Sequence, residues 1–129
     1  MKQYFSILAF GFVMLITGCS KNVTNESDSI VFTIDAAASN ISVASNFQVV
    51  IKIISHISSD GLKVELTAAE EVSGASVLPQ APSFTTTTLD NSTSVINLPQ
   101  QKWVVATIKI TDVNNVKNTA TKIFRVIYK

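Results

Sequence analysis

The groups able to do chemistry are few, and they stand apart from one another along the chain. His56 is the only histidine, placed between Ser55 and Ile57 beside a turn. An imidazole can serve as a general base, but it needs a second group to orient it or take over its proton. No such group stands at a telling spacing from His56, so a solvated loop histidine is the plainer reading. Serines are many, yet none lies in a Gly-x-Ser-x-Gly elbow. Four glycines in the whole chain leave no Gly-rich phosphate loop. Glu70 and Glu71 are adjacent, and neighbours on a strand point to opposite faces. That suits a solvated edge better than a two-carboxylate site. Asp112, Asn114 and Asn115 share one turn and, joined by Asp35 or Asn40, would give oxygen ligands for calcium. Asp and Asn are also the residues that turns favour on their own account. Zinc has no ligand set with one histidine and one cysteine. Trp103 and Tyr128 offer rings on which a sugar can stack, but Trp103 is expected instead to pack the bottom of the core. The inventory argues against an enzyme, and no cofactor or metal is expected.

The exception is Cys19, the only cysteine. It ends an apolar run of about a dozen residues, FSILAFGFVMLITGC, that begins at Phe5, with Lys2 before it and the polar SKNVTNESDS after it. A charged start, a short apolar core and a small-residue exit make a secretory signal. The run is too short for a stable span, which takes roughly 20 apolar residues. Ile16-Thr17-Gly18-Cys19 resembles the lipobox of bacterial lipoproteins. That resemblance implies cleavage by signal peptidase II between Gly18 and Cys19, and acyl chains on Cys19 that hold the protein on a membrane. The expected division is a cleaved leader over 1–18, a lipidated cysteine and flexible tether over 19–29, and one folded domain over 30–129. The tether carries almost no large apolar side chains, so it cannot offset the entropy of ordering. Within it Asp28-Ser29-Ile30 resembles the Asp-Ser/Thr-apolar O-glycosylation acceptor of Bacteroides-type bacteria, with Ser29 as the acceptor; a plain linker explains the same residues.

Ten Lys and Arg stand against nine Asp and Glu, and loss of Lys2 with the leader balances them. A nucleic-acid partner needs a basic face, and none is apparent. No polybasic cluster favours anionic lipid either, so membrane attachment rests on the acyl chains. With Cys19 acylated, the folded part has no thiol and no disulfide.

From Ile30 onward the chain reads as β: short runs of Val, Ile and Thr divided by Asn, Asp, Ser and Gly. Residues 30–34 make a first strand and 35–46 a loop or irregular edge. In 47–54 Phe47, Val49, Ile51 and Ile53 fall on one face, a half-buried strand. Ser58-Ser59-Asp60-Gly61 turns the chain, and Leu62, Val64 and Leu66 then alternate with polar residues. The pair is expected as a hairpin. Residues 84–89, with four threonines in a row, suit an exposed sheet edge. Residues 90–93 are expected to turn and 94–98 to return. Val104, Ala106, Ile108 and Ile110 of the next strand face inward. A polar turn over 112–118 leads to a last strand over 120–129.

About seven strands with no helix call for two sheets packed face to face. The stretch Val95-Ile96-Asn97-Leu98-Pro99, then Trp103, then ATIKITDVNN and the closing KIFRVIY resembles an immunoglobulin-like or fibronectin type III-like sandwich. In those families a Leu-Pro corner leads to an aromatic that starts the penultimate strand. The corner tyrosine and the paired cysteines of antibody domains are absent. The resemblance implies an all-β, single immunoglobulin-like sandwich and no particular function. The expectation is therefore an envelope lipoprotein, anchored at the outer membrane, acting in adhesion or as an accessory structural module with a protein or glycan partner. Sugar binding in a glycan-uptake system is one alternative, requiring exposed Trp103 or Tyr128. A small hydrolase or hydrolase inhibitor is another; the hydrolase version requires His56 in a cleft with an acid.

Overall fold

Alternation of apolar and polar residues decides which stretches become strands here. Val104, Ala106, Ile108 and Ile110 are fully buried, while Lys109 between them is exposed. The computed structural model describes residues 29–129. They form eight strands: β1 (Phe32–Ile34), β2 (Ser39–Ser42), β3 (Phe47–Ile53), β4 (Leu62–Glu70), β5 (Phe84–Thr86), β6 (Asp90–Val95), β7 (Trp103–Asp112) and β8 (Asn115–Tyr128). None of the described residues is helical. A three-stranded sheet runs β1-β3-β6 and a five-stranded sheet runs β2-β8-β7-β4-β5. The order is that of an immunoglobulin-like sandwich, with the added first-strand segment β2 lying parallel to the last strand. The leader over 1–18, its recognition residues Ile16, Thr17 and Gly18, the acceptor Cys19 and the tether up to residue 28 lie outside the described residues.

The expected hairpin of β3 and β4 does not form. β3 pairs β1 and β6, whereas β4 pairs β5 and β7 in the other sheet. The Asp60-Gly61 turn is present, with the Gly61 N–H donating to Ser58 O at 2.9 Å, but it carries the chain across the sandwich. The reason is burial. A hairpin would leave both apolar faces pointing the same way; opposed sheets let Val49, Ile51 and Ile53 share a core with Leu62, Val64 and Leu66.

Residues 90–93 are strand and not turn. β6 pairs β3 from Lys52↔Asp90 to Phe47↔Val95, and only Val95 is fully buried. Its backbone ladder holds a polar sequence on the edge of the small sheet. The expected polar turn over 112–118 shrinks to Val113-Asn114, and β8 starts at Asn115. Asp112 makes this tight reversal work: Oδ1 accepts from the Asn114 N–H at 2.9 Å and from the Ser58 hydroxyl at 2.9 Å. β2 falls within the expected loop. Its Ile41 is 63% exposed, so no apolar alternation betrays it. Asn40 ties it down instead, with Nδ2 donating to Ala37 O and to Arg125 O.

The chain joins the sandwich at Ile30, where Ile30, Val31 and Phe32 lie beside Ala120, Thr121 and Lys122 of β8. This is the end that holds the β7–β8 turn. The opposite end holds the start of β7, the end of β8 and the corner over 97–101. There Asn97 and Gln101 take positive φ of 60° and 66°, and Leu98 is buried with its N–H on Ser45 O.

Candidate functional site

β4, β7 and β8 lie side by side, so residues far apart in sequence meet on the outward face of the large sheet. The register sets Ala69 and Arg125 on either side of Val105, and Ile127 opposite Trp103. Because the even-numbered residues of β7 face the core, Trp103 belongs to the outward face. This corrects the expectation that its ring packs the bottom of the core. Leu98 is buried in that region instead, and Trp103 is only half-buried.

Arg125 clasps the ring. Its guanidinium carbon lies 4.0 Å from the centre of Trp103. Its Nη2 donates to Glu71 Oε2 at 3.1 Å, while Nε sits 3.0 Å from Oε1, off line for a second hydrogen bond. The Glu71 N–H donates to Trp103 O at 2.9 Å. A cation over an exposed ring contributes about 0.5–1 kcal/mol, and an exposed ion pair about 0.2–1 kcal/mol. These contacts orient the ring and add little to the stability of the fold. A double-mutant cycle of Arg125→Ala and Glu71→Ala by urea unfolding is accordingly expected to give a coupling below about 1 kcal/mol, with Trp103 emission altered by Arg125→Ala.

On the far side of the clasp, Glu70 points away from Glu71. Its Oε1 accepts from the Ser73 hydroxyl at 2.8 Å and its Oε2 stands 3.5 Å from Lys102 Nζ. The acidic pair thus splits between two cations, with Glu70 ending β4 and Glu71 opening the turn that follows. Glu70, Val72, Ser73, Gln101, Lys102 and Trp103 line a half-open, mainly apolar groove of about 360 Å³. Val72 is 96% exposed at its lip. Farther along the same face Thr67, Ala69, Val105 and Thr107 line a shallower depression with Ser76, and Ile123 is exposed on β8.

The other candidates do not join this cluster. His56 is exposed on the β3–β4 connection and makes no side-chain hydrogen bond or ion pair among the described residues, so the cleft that the hydrolase reading requires is not built around it. Of the oxygen groups named for calcium, Asp112, Asn114 and Asn115 stay at the β7–β8 turn, whereas Asp35 and Asn40 are engaged elsewhere. Asp112 caps the β7–β8 turn, Asn40 holds β2, and Asp35 accepts from the Val50 N–H. No group of three or more His, Cys, Asp or Glu among the described residues stands close enough to hold a metal. Tyr128 is half-buried and packs against the core. Ser29 is exposed just before the sandwich begins. The threonine run does form an edge, as β5 pairs β4 alone. It is a short edge, and past Thr86 the threonines satisfy one another: Thr86 Oγ1 accepts from the Thr88 N–H, and the two hydroxyls stand 3.0 Å apart.

Arg125, Glu71, Lys102 and Gln101 are the members that sequence reasoning did not assemble. The period of two places Arg125 on the face opposite Phe124. Only the strand register brings it to Trp103. Compared with known protein families, curated proteins and solved structures, the chain matches none.

Proposed function

We infer that the chain is a lipid-anchored, non-enzymatic interaction module of a bacterial cell envelope, held at the outer membrane through Cys19. It engages its partner through the outward face of the five-stranded sheet. The observation that carries this reading is Trp103, half open to water and clasped by Arg125 beside a groove. Tryptophan and arginine are the residue types in which the binding energy of interfaces concentrates. A ring held in place by an ion pair is also ordered before a partner arrives, which lowers the entropy lost on binding. The outward face of the smaller sheet carries Gln48, Val50, Lys52 and Ser92 and offers no such anchor. The anchoring half of the reading rests on Lys2, the apolar run from Phe5 and Ile16-Thr17-Gly18-Cys19.

A photoreactive benzoylphenylalanine placed in the full chain in a bacterial envelope tests the docking face. At Thr107 or Ile123 it is expected to give a discrete adduct, and at Gln48 or Ser92 none. Equal adducts on both faces, or none on either, would overturn the assignment.

A further inference from the structure

We propose that the groove beside Trp103 binds a neutral sugar ring. Three features of the groove select this ligand class. The first is an aromatic wall that stays put: Arg125 covers part of Trp103 at 4.0 Å, and the ring also lines the groove. A pyranose presents one face of C–H groups, and that face stacks on an indole while its hydroxyls point outward.

The second is the mixture of polar groups around the apolar wall. Lys102 donates, the Glu70 carboxylate accepts through the lone pairs that Ser73 and Lys102 leave free, and the Gln101 amide does both. Hydroxyls that donate and accept at once match such a rim, whereas a purely acidic or basic ligand leaves half of it unpartnered. The third is charge. Glu70 is balanced by Lys102 and Glu71 by Arg125, so the groove carries no net charge to attract an ion. The charge complement of a neutral groove is a neutral, hydroxyl-rich ligand. At about 360 Å³ the groove lies at the small end of ligand pockets, fit for one or two rings.

Gln101 owes its place in the groove to the backbone. At φ of 66° it donates its N–H to Tyr128 O at 2.7 Å. The corner is therefore pinned to the last strand, and the polar rim is held against the aromatic wall.

This inference rests on the outward face being a docking surface, and the experiment separates the two. Trp103 is the only tryptophan in the chain, so its emission reports on this groove alone. The full chain, in a phosphocholine detergent that carries no sugar, is titrated with methyl glycosides of glucose, galactose, mannose and N-acetylglucosamine and with their tetrasaccharides. A saturable blue shift with at least one of them is expected. Trp103→Ala should abolish binding, read for that variant by calorimetry. Lys102→Ala and Gln101→Ala should each weaken it by about two- to tenfold. Val72→Glu, at a position too exposed to disturb folding, should weaken it by blocking the lip. An emission that stays unsaturated across the whole panel overturns the proposal, as does saturation by an oligoproline peptide in its place. Face-specific photo-adducts without sugar binding defeat the sugar and leave the docking face; loss of both defeats both.

Discussion

Gly61→Ala is expected to destabilise the domain by about 2–4 kcal/mol, and Gly74→Ala by only about 1 kcal/mol. Both glycines have positive φ, 91° and 76°, so each substitution strains the backbone. Their surroundings differ. A Cβ on Gly61 would lie 2.8 Å from the carbonyl oxygen of Thr86 and 3.0 Å from the Thr85 methyl. A Cβ on Gly74 meets nothing within 4 Å. Gly61 is also where three parts of the fold meet: it closes the turn on Ser58, and its carbonyl accepts from the Val113 N–H of the β7–β8 turn. Relief of the clash needs movement of the β5 backbone, which is an edge strand held only by β4. Thermal unfolding measures the contrast, at about 4–8 °C per kcal/mol for a domain of this size. Equal losses at the two sites would show that the close approach to Thr86 does not matter.

Cys19→Ser is expected to abolish membrane anchoring through lipid altogether. Each buried methylene of an acyl chain contributes about 0.8 kcal/mol, and one chain alone gives only marginal, reversible attachment. Stable retention needs more than one chain or a polybasic patch. The balance of charges after the proposed leader provides no such patch, so on the lipoprotein reading retention would rest on the chains. A serine hydroxyl cannot take the place of the thiol in this modification. In cells fed an alkyne fatty acid, the native chain should be labelled and run at the processed mass. The variant should carry no label and accumulate as the larger precursor. A native chain without label, or a variant processed like the native one, would remove the lipoprotein reading.

Period-two alternation was enough to place β3, β4, β7 and the closing half of β8, because each has one face buried and one wet. It was also enough to mark β5 as an edge. It could not place β2 or the first four residues of β6, whose side chains are polar or exposed; β2 is held by backbone pairing and Asn40, and that part of β6 by its ladder with β3. The division of β3 and β4 between sheets was equally hidden. An Asp-Gly turn fits a hairpin and a crossing alike, and only the need of two apolar faces to cover each other decides between them. The site followed the same rule. Trp103 was visible as a residue, but its orientation depended on the parity of β7. Its partners Glu71 and Arg125, 54 positions apart, depended on two registers that local pattern does not carry.

The position of Ile30 beside Ala120–Lys122 has an orientational result. Trp103 lies opposite Ile127, seven residues farther along β8 than Ala120, about 20 Å at strand rise. An anchor reaching the domain through Ile30 therefore attaches at one pole, and the groove sits at the other. On the lipid-anchored reading proposed above, the sandwich itself would act as a spacer between the anchor and Trp103.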